Sequence, residues 1–129
     1  MTDRDIETVE ALLAAFRRGD VEAMLDLNHP DGEWINPEYA IEPGTRRGHE
    51  EIRRAIERIF EFFETVEVES MERTPDGRIL VIARVRSRGM GGGPGIEALT
   101  GTLYTVRDGL LVRYEWFQSA EEAREAAGI

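Results

Sequence analysis

The stretch that decides the fold is Ile96–Ser119, IEALTGTLYTVRDGLLVRYEWFQS. Its two alternating runs flank Asp108-Gly109, a pair suited to the left-handed backbone that a two-residue hairpin turn demands. Ile96–Arg107 and Leu110–Ser119 are therefore predicted as paired antiparallel strands. Successive side chains of a strand point to opposite faces. In the second strand one face carries Val112, Tyr114, Trp116 and Gln118, and the other Arg113, Glu115 and Phe117. The aromatic face reads as the inside of a curved sheet and the charged face as its outside.

A second hairpin lies upstream: Val66–Thr74, the turn Pro75-Asp76-Gly77, then Arg78–Arg88. Val81, Ala83, Val85 and Ser87 share one face of its second strand, Arg84, Arg86 and Arg88 the other. Gly89–Gly95 connects the two hairpins. A strand rather than a helix follows it, so it reads as a loop and not as a phosphate cradle.

Helical spacing governs the first half of the chain. Ile6, Val9, Leu12, Leu13 and Phe16 predict an amphipathic helix over 3–18, capped by Thr2 or Asp3 and stopped by Gly19. Asp20 caps a short helix carrying Val21, Met24, Leu25 and Leu27. His29–Gly32 reads as a turn, Glu33–Asn36 as a short strand ended by Pro37, and 38–48 as an irregular loop with a brief strand near Tyr39–Ile41. A long helix is predicted from His49 to Glu64, burying Ile52, Ala55, Ile56, Ile59, Phe60 and Phe63. Ser119 and Glu122 form the capping-box pattern of a last helix ending at Ala127. Helices followed by an antiparallel meander give one α+β domain over 1–129: a curved antiparallel or mixed sheet, with helices on one face, curling into a half-open cone.

Composition narrows the chemistry. Of 129 residues 41% are hydrophobic, enough for a core, and the net charge of -10 disfavours a nucleic-acid partner. There is no cysteine, so thiolate nucleophiles and thiolate metal sites are excluded. Every basic residue is Arg, which cannot form a Schiff base. His29 and His49 are the two histidines, and no metal or cofactor is expected. No run is long and apolar enough for a membrane helix, and Met1–Asp5 lacks the pattern of a signal peptide, so a cytoplasmic location is the default expectation.

The inward faces supply a candidate site for a hydrophobic small molecule. Trp34 and Asn36 come from the first strand, Thr100, Thr102 and Tyr104 from the third long strand, and Tyr114, Trp116 and Gln118 from the fourth. An aromatic wall with a few neutral polar groups is the usual chemistry of such a pocket. Ordinary core packing, with the tyrosine hydroxyls reaching the surface, is the rival reading of the same residues.

Gly19-Asp20-Val21-Glu22-Ala23-Met24-Leu25 with Glu33-Trp34-Ile35-Asn36-Pro37 resembles the first third of SnoaL-like and ketosteroid-isomerase-like proteins. Arg47–Ile52 resembles the start of their long helix, and Val106–Val112 with Ala120–Gly128 their final hairpin and helix. The resemblance spans nearly the whole chain. It implies the cystatin-like α+β barrel of the nuclear transport factor 2-like superfamily, and a homodimer formed through the outer sheet face. It also places the isomerase's base at Asn36 and its oxyanion groups at Leu12 and Thr102. Asn36 is no base and Leu12 no donor, so steroid isomerase activity is not expected.

No catalytic residue is assigned. Glu38, Glu42 and His49 are the candidates expected near the pocket mouth, although loop carboxylates and a histidine at a helix start are more often solvated. Three functions remain open at this point. They are a SnoaL-like isomerase, cyclase or lyase acting on a hydrophobic carbonyl compound, a non-catalytic small-ligand-binding protein, and a dimeric partner-binding domain.

Overall fold

The Asp108-Gly109 turn has the left-handed backbone its residues suit, with φ of 54° and 78°. It joins β5 (Glu97–Arg107) to β6 (Leu110–Phe117). The computed structural model describes residues 3–38, 43–87 and 95–129. The chain runs α1 (Arg4–Arg18), α2 (Val21–Asp26), β1 (Asn28–Asn36), β2 (Gly44–Arg47), α3 (Gly48–Phe62), β3 (Phe63–Arg73), β4 (Ile79–Ser87), β5, β6 and α4 (Ala120–Ala127). The strands form one six-stranded sheet in the order β2-β1-β6-β5-β4-β3. The β1–β6 pair is parallel and the other pairs are antiparallel, which makes a mixed sheet.

The predicted caps form. Asp3 accepts from the backbone N–H of Asp5 at 3.1 Å and of Ile6 at 3.3 Å, Asp20 from Ala23 at 3.0 Å, and Ser119 from Glu122 at 3.1 Å. They satisfy helix N–H groups that have no partner within the helix. α1 buries Val9, Leu12 and Leu13, α3 buries Ile52 and Ile56, and Phe16 of α1 stacks on Phe60 of α3 at 4.8 Å. Together with α2 these helices cover the inner sheet face and bury its core.

Several boundaries differ from the sequence reading. His29–Gly32 is not a free turn: it belongs to β1, where the register with β6 slips between Asn28 and Glu33. Such a bulge absorbs turn-forming residues without ending the strand. Residues 44–47, expected as loop, form the edge strand β2, whereas Tyr39–Ile41 lies outside the described residues. Phe63 and Glu64, expected at the end of the long helix, begin β3. The backbone passes from helix to strand at Phe63 (φ -103°, ψ 129°) with no intervening turn.

The largest correction concerns the outer face, because helices occupy both sides of the sheet. α4 packs on the outer side against Leu80, Ile82, Leu103 and Phe117 through Ala123 and Ala127. These apolar residues alternate with the inward ones, and the charged residues nearby masked them in the sequence. The Arg and Glu beyond α4 do lie on this outer face. Arg84 pairs with Glu69 and Glu97, both at 2.9 Å, and Arg86 with Glu97 at 3.3 Å.

Gly101 lets α4 settle on the sheet. A Cβ there would lie 2.2 Å from the Ala123 Cβ, a distance at which the helix must move. Gly101→Val is expected to destabilise the chain by about 1–3 kcal/mol, as overpacking does. Ala123→Gly in the same chain should recover part of the loss. Urea unfolding of the single and double variants checks this, and a Gly101→Val chain as stable as the wild type would contradict the packing described.

Candidate functional site

Sheet register stacks the inward side chains of the cone in rows. The first row is Ile79, Tyr104, Tyr114 and Trp34, held as neighbours across β4, β5, β6 and β1. Trp34 stacks on Tyr114 at 4.9 Å, and Tyr104 meets Tyr114 edge to face at 5.2 Å. The next row is Met71, Val81, Thr102 and Trp116, and the third is Val68, Ala83 and Thr100. The third row is built of small residues. Leu12, Leu13 and Phe16 of α1, Met24 of α2, and Ile59 at the end of α3 close over the rows. A cavity of about 90 Å³ remains between them, lined almost wholly by apolar surface.

Five of the expected ligand-binding residues line this cavity: Trp34, Thr102, Tyr104, Tyr114 and Trp116, together with Thr100. Asn36 and Gln118 are not among its lining residues. The Asn36 side chain instead accepts from the Trp34 indole N–H at 2.8 Å, fixing that ring. Gln118 is exposed just beyond the end of β6. Leu12 and Thr102, the positions that the resemblance matched to oxyanion groups, both lie in the wall.

The three acid–base candidates do not line the hollow. Glu38 is exposed, and Glu42 lies outside the described residues. His49 is exposed at the start of α3, with Nε2 2.9 Å from the Asn28 carbonyl oxygen. Among the described residues the cavity lining contains no carboxylate, imidazole or guanidinium. No group of three or more described His, Asp or Glu side chains is placed to hold a metal ion.

Asn28 is a polar residue of the core that sequence reasoning missed. It is buried, and its Nδ2 donates to the Met24 carbonyl at 2.7 Å, tying β1 to the end of α2. Its Oδ1 and the Tyr114 hydroxyl are both sealed from solvent without a hydrogen bond of ordinary geometry. Burial holds the Tyr114 phenol well above its usual value. Neighbouring Tyr104 adds to that, and the Asn28 side chain acts against it. Burial likewise pushes Tyr104 up to about 12, and the nearby Thr102 side chain acts against it. Nothing in the pattern around Leu27-Asn28 marks such a role, since an Asn after a short helix is an ordinary way to end one.

A larger hollow of about 940 Å³ lies at the outer side, near the Asp108-Gly109 turn. Its charges are largely spent on one another. Arg78 reaches Asp76 at 2.9 Å and Glu115 at 3.4 Å, and Arg113 reaches Glu115 at 3.5 Å. It is an open, solvated groove, where such pairs contribute little.

A model of the SnoaL-like domain matches residues 9–114, most of the chain and all of the cavity wall except Trp116. The chain belongs to the SnoaL-like domain family. Solved structures agree on its fold. An NTF2-like protein of unknown function from Burkholderia pseudomallei K96243 superposes with a TM-score of 0.76 at 20% identity, over 99% of this chain and 100% of that one. A ketosteroid isomerase-like protein from Catenulispora acidiphila, in complex with trimethylamine, gives 0.71 at 22% identity, over 95% and 93%. A protein assigned as a polyketide cyclase from Xanthomonas campestris pv. campestris gives 0.70 at 18%, over 96% of each chain. No curated protein matches this SnoaL-like chain. No helix among its described residues is long and apolar enough to cross a membrane.

The raised tyrosines make stability depend on alkaline pH. A phenol whose pKa is higher in the folded chain than the ordinary 10 favours folding in its protonated form. That contribution is intact below pH 10 and is lost as pH rises toward the folded value, about 12 for Tyr104. Unfolding free energy is therefore expected to fall between pH 10 and about 12, and to fall less in Tyr104→Phe. Denaturant titrations at stepped pH measure this, and an identical alkaline slope in wild type and variant would count against the buried phenol.

Proposed function

We propose that this SnoaL-like chain binds a small, uncharged, largely apolar molecule in the cone, without acid–base catalysis by the cavity wall. One observation carries the reading: a partly open hollow whose described lining holds aromatic and aliphatic side chains and no group that titrates near neutrality. Charge is costly to bury without a partner, and no lining residue offers one. The two tyrosines stay protonated well past neutral pH and can act only as neutral hydrogen-bonding groups.

Volume limits the ligand. The hollow of about 90 Å³ is smaller than the roughly 150 Å³ of an engineered cavity that takes benzene. A compound of one ring or less suits it, whereas a fused polycyclic scaffold would require the helices to move off the sheet. The trimethylamine held by the Catenulispora protein is a molecule of this small size class, although a neutral cavity wall here favours uncharged compounds.

A second reading is isomerase, cyclase or lyase chemistry on an apolar carbonyl compound. Family membership and the position of Thr102 in the wall favour it. It needs a proton acceptor beside the ligand, which the described lining does not supply.

Thermal unfolding with added benzene or benzoate tests the binding reading. Benzene should raise the melting temperature by several degrees once well above its Kd, a stabilisation of about 2.7 kcal/mol at a hundredfold excess. Benzoate should leave it unchanged. Ala83→Leu, which fills the third row, should abolish the benzene effect while the chain stays folded. No shift with benzene, a shift with benzoate, or a benzene shift that survives Ala83→Leu would sink the proposal.

A further inference from the structure

The hollow is long for its volume. Its sheet wall does not stop at the small third row. Beyond Ala83 and Thr100 it continues to Val85 with Val66, and then to Phe63 opposite Ser87. Val81 to Val85 alone cover about 13 Å of strand. With a volume of only about 90 Å³ along such a wall, the space is narrow.

Burial falls along the same line. Tyr114, Tyr104 and Val81 at the inner end are buried, Phe63 and Val66 are half-buried, and Val68 is 36% exposed. The helix side follows: Leu12 and Met24 are buried, Phe16 and Ile59 half-buried. Rings therefore close one end. The other end opens between β3 and the last turns of α1 and α3, over an apolar floor of Phe63, Val66 and Val68.

A single ring resting among the inner rows leaves Phe63, Val66 and Val85 uncovered. A chain that continues outward covers them, and each methylene removed from water is favourable. Branching or a fused second ring adds width, which the small volume does not allow. Glu64 and Glu67 alternate with the floor residues along β3 and are exposed. A carboxylate emerging there would meet like charge.

Resting on the small-ligand reading, we propose that the ligand is a neutral compound with a linear aliphatic chain. The end of the chain lies among Val81, Ala83 and Thr100, its middle runs over Val85 and Val66, and its polar end stays in water at the mouth beside Phe63. Val66 and Val85 thereby determine how long a chain is recognised, while the third row limits its width.

The test is an NMR titration of the intact chain with 1-butanol, 1-hexanol and 1-octanol, each below its solubility limit. Benzene is titrated beside them as a ring that needs only the inner rows. In the wild type each added pair of methylenes should tighten binding about tenfold. In Val66→Glu, octanol should weaken about tenfold while benzene stays within about twofold, which also reports that the variant is folded. If Val66→Glu does not fold, Val66→Ser takes its place, with an octanol loss of about threefold. An affinity that stops rising at butanol, an octanol affinity unchanged in the folded variant, or equal losses for octanol and benzene overturns the chain assignment and leaves the small-ligand reading standing. Benzene that does not bind the wild type sinks that reading, and the chain assignment with it.

Discussion

A void inside a protein survives only where its neighbours cannot collapse into it, and here sheet register imposes that condition. Hydrogen-bonded strands fix which side chains share a row, so a large ring on one strand cannot slide to fill space beside its neighbour. The row of Trp34, Tyr114, Tyr104 and Ile79 fills the inner face with packed rings. Two residues further along β4 and β5, beyond Val81 and Thr102, Ala83 and Thr100 lie opposite each other with Val68 alongside at the exposed mouth, and these small side chains leave space above them. The stacked Phe16–Phe60 pair and the buried stripes of α1 and α3 hold those helices at a fixed height. The cavity is the difference between that height and the reach of the small row.

The same constraints decide which chemistry the hollow can host. Polar groups near the wall are engaged with one another: the Trp34 indole with Asn36 and Asn28 with the Met24 carbonyl. Each such pairing satisfies a neutral polar group that would otherwise compete for water. A leucine stands at position 12 and an asparagine at 36, the positions that the resemblance matches to an oxyanion donor and the isomerase's base. The described cavity lining of this SnoaL-like family member carries no charged side chain, and the fold alone does not assign an activity.

Much of the architecture was readable because turns and caps are local. Asp108-Gly109, Gly19, Asp20 and Ser119 act through the conformations of one or two residues, and strand alternation then sorts Tyr114 and Trp116 inward and Arg84 and Arg86 outward. What was not readable depends on partners distant in the chain. The β1 bulge follows from pairing with β6, the β2 strand from pairing with β1, and the abrupt change from helix to strand at Phe63 from pairing with Ser87. The outer seat of α4 depends on the missing side chain of Gly101 meeting Ala123. In the site, the inward aromatic residues followed from alternation. Alternation also carried Asn36 and Gln118 into the expected lining, because it gives a direction but not how far the cavity extends. The role of Asn28 had no local signal at all.

The existence of the hollow is the central claim, and xenon measures it most directly. Xenon enters dry apolar cavities and scatters strongly enough to be located in a crystal. Crystals pressurised with xenon should show one atom enclosed by Ala83, Thr100, Val81 and Trp116, and none in the same place in Ala83→Leu. A wild-type crystal with no xenon there, and with Trp116 and Ile59 packed into contact across the gap, would contradict the account.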